Sequence, residues 1–135
     1  TNDEVLAMFE TAATHLVSGG VFVFDFWFAP AVLTERPVIR VKRLESDEIS
    51  VTRIAEPELN ARDSYVDVNY QVFIRDKASG AMEELRESHR MRYLSLGEVE
   101  LLARAVGLRV LESCEWVTGR LPGTDTWGVC VVAGK

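Results

Sequence analysis

The chain has 135 residues, a length typical of a single domain, of which 47% are hydrophobic and 27% are charged. This composition is that of an ordinary globular protein and excludes a disordered chain. The 15 Lys and Arg residues against 21 Asp and Glu residues give a net charge of −6, which opposes binding to nucleic-acid phosphates. The longest apolar stretch, from Val21 to Pro30 with Asp25 inside it, is too short to span a membrane.

Neither the N-terminal segment nor the two cysteines indicate a secreted protein. The segment from Thr1 to Glu4 is acidic and lacks the basic start and apolar middle of a secretion signal, so we expect a cytoplasmic protein. Cys114 and Cys130 lie among apolar and strand-forming neighbours, where a thiol packs as a small hydrophobic group. A disulfide would require them to lie opposite each other on adjacent strands, and we expect free thiols. No His and Cys cluster has metal-ligand spacing, so no metal site is predicted.

The first 37 residues are predicted to form a helix and a strand. Thr1 or Asn2 can cap a helix whose apolar residues recur every three or four positions up to Val17. Gly19 and Gly20 end that helix. The segment from Val21 to Phe28 is apolar at both alternating sets of positions, which is typical of a strand covered on both faces and central in a parallel sheet.

Residues 38–93 show a period of two that is broken by turn residues, which predicts an antiparallel β-meander. Four strands are expected, at 38–44, 49–54, 66–74 and 82–93. Residues 94–135 then return to mixed structure. Ser95 and Glu98 form a capping box that begins a helix ending at Gly107, and two strands follow at 108–117 and 127–133.

This order of elements resembles the C-terminal half of a class I S-adenosylmethionine-dependent methyltransferase. The segment His15-Leu16-Val17-Ser18-Gly19-Gly20-Val21-Phe22-Val23-Phe24-Asp25 is similar to the fourth helix and fifth strand of that fold. The resemblance implies an α/β protein, the C-terminal part of a Rossmann-like sheet with an antiparallel insertion. Core elements are then expected at 1–37 and 94–135, and the insertion at 38–93.

The family binds its cofactor through a Gly-rich turn after the first strand and an acidic residue that ends the second. In this chain Gly19 and Gly20 precede a strand instead of following one, so no residue is assigned to cofactor binding. The resemblance therefore implies a fragment, or one part of a longer polypeptide. S-adenosylmethionine would be the cofactor of the parent enzyme, and we expect no binding to this chain alone.

The apolar strand 21–28 also predicts a partner. Such a strand needs a neighbour on each edge, and strands 108–117 and 127–133 supply one side only. An unpaired apolar edge promotes association with another chain. We expect either the missing N-terminal half or a second copy of the chain to pair with this strand.

Candidate substrate-binding residues lie near strand ends, because ligands of open α/β sheets bind beyond the carboxyl ends of the strands. Asp25, Trp27 and Phe28 close the first strand, and Asp25 could accept a hydrogen bond from an amine or hydroxyl group. The structural alternatives are a turn role for Asp25 and core packing for the two aromatic residues.

Three further candidates bracket the last loop. Arg120 could bind an anionic group through two parallel hydrogen bonds, and Trp116 or Trp127 could stack on a flat one. The alternative is a loop that its own aromatic side chains hold in place. His89 shares a strand face with Leu85, Met91 and Tyr93 and is the candidate general base; the alternative is a structural histidine.

The resemblance implies transfer of a methyl group from S-adenosylmethionine to a small-molecule acceptor, with residues 38–93 as a substrate lid or dimer surface. This reaction is an in-line displacement on a sulfonium, so the protein mainly positions the reactants and removes a proton. The competing interpretation is a non-enzymatic α+β module that encloses a ligand or forms a dimer.

Overall fold

Helices and strands mix at both ends of the chain, and strands alone fill its middle. The computed structural model describes residues 1–135. The helices are α1 (Asn2–His15), α2 (Ala29–Glu35) and α3 (Leu96–Ala105). The strands are β1 (Val21–Phe28), β2 (Arg40–Glu45), β3 (Ile49–Asn60), β4 (Tyr65–Asp76), β5 (Met82–Leu94), β6 (Arg109–Glu115) and β7 (Gly128–Gly134). The chain divides into two units: unit 1 contains residues 1–35 and 92–135, and unit 2 contains residues 36–91.

In unit 1, β1 lies between β7 and the last residues of β5. It pairs antiparallel with β7 from Val21 opposite Gly134 to Trp27 opposite Gly128. Its parallel pairing with β5 covers only Trp27 and Phe28. The strand is therefore interior, as predicted, but most of its hydrogen bonds go to an antiparallel neighbour. Strand β6 pairs antiparallel with the other edge of β7.

Both long helices begin at the caps that the sequence predicts. The Thr1 hydroxyl accepts from the backbone N–H of Glu4, and the Glu4 carboxylate binds back to Thr1. Ser95 and Glu98 form the same reciprocal pair at α3. Helix α3 ends before Gly107, whose φ of 78° lies in the left-handed region that suits glycine.

Phenylalanines from one face of β1 build the core of unit 1. The Phe9 ring of α1 is fully buried and meets the rings of Phe22 and Phe24 edge to face, at centroid distances of 5.9 and 5.2 Å. Phe26 and Phe28 continue this row. Buried residues from β7 and α3 complete the cluster: Val99, Ala103, Val129, Val131 and Ala133. The helices thus cover one face of the sheet.

The opposite face of β1 is open to solvent, and this differs from the prediction of a strand covered on both faces. Val21 and Val23 are 51% and 55% exposed. They alternate with the core phenylalanines, so they project away from α1 and α3. Apolar residues on both faces were a correct observation of the sequence, but this chain covers only one of them.

Unit 2 is an antiparallel sheet of β2, β3, β4 and β5 in that order, which agrees with the predicted meander. Strand β3 continues to Asn60, beyond the predicted end at 54, and includes Pro57. Strand β2 begins at Arg40, opposite Ala55, so Pro57 lies beyond β2, where β3 has one neighbour only. An edge position tolerates proline because its missing N–H faces no partner strand.

Helix α2 was not predicted. It has only seven residues, and Pro30 lies in its first turn. Proline is compatible with the first turn of a helix, since no intrahelical partner exists there for an N–H group. None of the three helices has the length and apolar content that crossing a bilayer requires.

The Phe9 contacts predict a large effect on stability. Replacing Phe9 with alanine should lower the free energy of unfolding by about 3–5 kcal/mol, because the β1 phenylalanines would line a cavity. The adjacent Met8 is 43% exposed and supplies the control, with an expected change of less than about 1 kcal/mol for Met8→Ala. Urea denaturation followed by circular dichroism measures both. Equal losses would contradict this account of the core.

Candidate functional site

Two of the predicted aromatic residues meet at the carboxyl end of β1. The rings of Trp27 and Trp127 are in edge-to-face contact, with centroids 5.9 Å apart. The indole Nε1 of Trp127 donates a hydrogen bond to the Glu35 carboxylate at the end of α2. Both indoles are half-buried, so the pair offers aromatic surface with a carboxylate beside it. We call Trp27, Trp127 and Glu35 the tryptophan corner.

The last loop is held by a cluster around Glu115. The Arg120 guanidinium donates to both Glu115 oxygens, at 2.7 and 3.0 Å, and the Thr118 hydroxyl donates to the same carboxylate. The backbone N–H of Glu115 also donates to the Arg120 carbonyl at 2.7 Å. Arg120 is therefore paired within its own loop, and an external anion would have to compete with Glu115.

These contacts shift the pKa of Glu115 below its usual range, mainly because the Arg120 and Thr118 side chains hydrogen-bond to the ionised form. The pKa of Arg120 is raised by the same pairing. The loop ends are pinned by Trp116 as well, whose backbone N–H donates to the Gly128 carbonyl at 2.8 Å. The Trp116 side chain is 52% exposed and passes over Gly128, where an added Cβ would lie 3.3 Å from it.

Asp25 differs from its predicted position, and Phe28 ends the strand as predicted but packs in the core. The strand continues three residues past Asp25, which lies inside β1 opposite Cys130, so Asp25 does not close the strand. Its side chain faces the open side of the sheet. Phe28 is only 7% exposed and belongs to the core cluster, where it contacts Phe26 and not solvent. Trp27 shares the open face with Asp25 and is half-buried near the end of the strand.

His89 lies on β5 in unit 2. Its Nε2 is 3.1 Å from the Glu87 carboxylate, and its ring meets the Tyr70 ring edge to face at 5.4 Å. The His89 side chain is 54% exposed. Glu87 and Tyr70 also line an open groove of about 380 Å³ with Glu56 and Arg86. The imidazole thus has an acidic partner two residues away on the same strand face, which the sequence analysis overlooked.

Sequence reasoning missed the partners of the predicted residues. Glu35 ends a helix that was not predicted, and it contacts a tryptophan 92 positions away. Tyr70 and His89 lie on different strands whose register the sequence does not fix. The pairing of Glu115 with Arg120 had a usable signal, because opposite charges flank a short turn-rich loop.

Comparison with known proteins gives matches at the level of structure. No family model and no curated protein sequence matches the chain. The crystal structure of an S-adenosylmethionine-dependent methyltransferase from Clostridium acetobutylicum matches 99% of this chain, with a TM-score of 0.80 and 20% identity. The sugar N-methyltransferase KedS8 from Streptoalloteichus matches all of it, with a TM-score of 0.76 and 18% identity.

A third match is CalS10 from Micromonospora echinaspora, an amino pentose methyltransferase, with a TM-score of 0.72 and 20% identity over the whole chain. The chain has the fold of half a methyltransferase. It spans 52%, 50% and 52% of these three structures, about half the length of each. The predicted fold, part of a Rossmann-like methyltransferase sheet, is confirmed.

The residues present do not fit the cofactor that the methyltransferase fold implies. Such a cofactor needs a Gly-rich turn between a strand and a helix, so that the backbone can approach it closely. Strand β1 runs directly into α2 through Phe28, Ala29 and Pro30. Strand β5 leads into α3, where the Glu98 carboxylate already binds the backbone N–H of Ser95 at 2.7 Å. Neither junction offers a glycine cradle.

The Glu115 cluster predicts a pH dependence that can be measured directly. The folded-state pKa of Glu115 is depressed, so its pairing stabilises the loop above the ordinary carboxyl pKa and is lost as the pH falls through the lowered value. In an NMR titration of the side-chain carboxyl groups, Arg120→Gln should raise the Glu115 midpoint. The control Arg62→Gln alters an exposed pair in unit 2 and should leave that midpoint unchanged. An equal midpoint in Arg120→Gln would contradict the pairing.

Proposed function

We propose that this chain supplies the substrate side of an S-adenosylmethionine-dependent methyltransferase whose acceptor is a small molecule. The observation that carries the proposal is the match of essentially the whole chain, at TM-scores of 0.72 to 0.80, to proteins named as methyltransferases.

We assign cofactor binding and acceptor binding to different halves of the fold, because the residues of this chain do not fit the cofactor. The matched structures are about twice as long, and no strand-to-helix junction of this chain forms the glycine cradle. The other half of the fold is therefore proposed to bind S-adenosylmethionine, which supplies the activated methyl group when bound. This chain binds and orients the acceptor and takes its proton.

The acceptor class that we propose is a polar molecule with an amine or hydroxyl group, and a sugar amine is the leading example. Two of the matched proteins are named for action on an amino pentose and on a sugar nitrogen. The tryptophan corner supports this choice, because aromatic surface beside a carboxylate suits the apolar faces and hydroxyl groups of a sugar. Asp25 lies on β1 with Trp27, and its exposed carboxylate could accept a hydrogen bond from the amine or hydroxyl group.

Within unit 2, His89 is proposed as the candidate base. Contact with the Glu87 carboxylate favours the tautomer with the proton on Nε2, which leaves Nδ1 as the acceptor. The edge-to-face contact with Tyr70 fixes the ring further. The groove lined by Tyr70 and Glu87 supports a role for the insertion, residues 38–93, as a substrate lid or a dimer surface.

A calorimetric titration tests the division between the halves. The 135-residue chain should give no heat of binding with S-adenosylmethionine, whereas a polypeptide that also contains the other half of the fold should bind it. Micromolar binding by the chain alone would overturn the assignment of the cofactor to the other half. Absence of binding to both proteins would overturn the methyltransferase proposal.

A substitution of His89 tests the proposed base in the complete methyltransferase. His89→Ala should lower kcat by at least about 100-fold with little change in KM, because a base acts on the transition state. His15, whose ring contacts the Thr11 carbonyl at the end of α1, provides the control. His15→Ala should leave kcat unchanged. A His89→Ala enzyme with full activity would show that His89 is structural.

A further inference from the structure

The two cysteines of the chain lie directly opposite each other. In the β6–β7 ladder Cys114 is the register partner of Cys130, and both are free thiols. Directly paired residues in an antiparallel sheet project their side chains from the same face. Only residues 115–129 separate the two positions along the chain, and both cysteines are partly exposed.

The hydrogen bonds of the ladder set the distance between the two backbones. Trp116 donates its N–H to the Gly128 carbonyl at 2.8 Å, which makes residues 116 and 128 a hydrogen-bonded pair. Hydrogen-bonded pairs recur at every second position, so Cys114 and Cys130 also form such a pair, with Cα atoms about 5.5 Å apart. This separation falls in the range that a disulfide spans without backbone movement.

We propose that Cys114 and Cys130 form a reversible dithiol–disulfide couple, a modification site on the open face of the unit 1 sheet. The oxidant is a low-molecular-weight disulfide of the glutathione class. One cysteine thiolate attacks the reagent and releases one small thiol, which leaves a mixed disulfide. The second cysteine thiolate attacks the cysteine sulfur of the mixed disulfide, which forms the Cys114–Cys130 bond and releases the second small thiol. Two electrons pass from the cysteines to the reagent, and the two cysteine protons end on the released thiols.

The neighbours of the pair set its reactivity. Asp25 of β1 is the register partner of Cys130 on the edge of β7 opposite to β6. Glu112 lies two residues before Cys114 on β6, on the same face of the sheet. Burial raises the pKa of the Cys130 thiol, and the negative charges of Cys114, Asp25 and Glu112 add to the shift. Oxidation is accordingly faster at mildly alkaline pH than at neutral pH.

The test measures thiol–disulfide exchange in the full chain. The reduced protein is incubated with oxidised glutathione, and the products are analysed by mass spectrometry and non-reducing peptide mapping. The expected product has lost two hydrogens, carries no glutathione, and yields one peptide pair that joins Cys114 to Cys130. Dithiothreitol should reverse it. Stable glutathione adducts on both cysteines, or disulfide-linked dimers in place of the internal bond, would overturn the proposal.

A comparison with unfolded protein separates a site formed by the sheet from two cysteines that happen to share a chain. The equilibrium constant for closing the disulfide against glutathione should be at least about tenfold larger in the folded protein than in concentrated urea. Equal constants would overturn the proposal. The variants Cys114→Ser and Cys130→Ser should each retain a single glutathione adduct, which confirms that closure needs both thiols.

Discussion

The fold depends on the two-faced pattern of β1. Its even positions, from Phe22 to Phe28, pack beneath α1 and α3 around Phe9. A slip of one residue in the pairing with β7 would turn all of these rings toward solvent, so core packing fixes the register. The same register fixes what lies on the other face, including Cys130 opposite Asp25 and Gly128 opposite Trp27. The candidate site is therefore a consequence of how the core is packed.

The candidate site forms at the carboxyl end of β1 and in the loop between β6 and β7. Strand β1 runs into α2, whose last residue, Glu35, reaches Trp127 at the start of β7. The neighbouring loop closes on itself through Glu115 and Arg120. A loop that satisfies its own charges presents aromatic surface and not a free cation. Under the proposed function, this loop favours an acceptor without negative charge.

Local signals predicted most of the fold, and long-range contacts account for what was missed. The capping boxes at Thr1 and Ser95 are complete within four residues, and the meander shows a clear period of two. Helix α2 has seven residues and a proline, too little for a periodic signal. For the site, the sequence identified Trp27, Trp127 and Arg120 as candidates, but their partners depend on tertiary structure. Asp25 was predicted near the strand end because the segment that resembles the methyltransferase strand ends at Asp25, whereas the strand continues to Phe28.

The exposed features of unit 1 share one explanation under the proposed function. Val21 and Val23 are half exposed, and the pairing of β1 with β5 stops after two residues. Each half-exposed valine forgoes about 1 kcal/mol of burial, a cost that a self-sufficient domain rarely repeats along one strand. With further helices packed over the first residues of β1, these valines would be buried and the strand edge would be paired, whereas Asp25 and the cysteine pair lie farther along the sheet. The same added elements would supply the glycine cradle that no junction of this chain contains. Under the proposed function, the bare apolar face, the unpaired edge and the missing glycine cradle would all have one cause, a core that is shared with the other half of the fold.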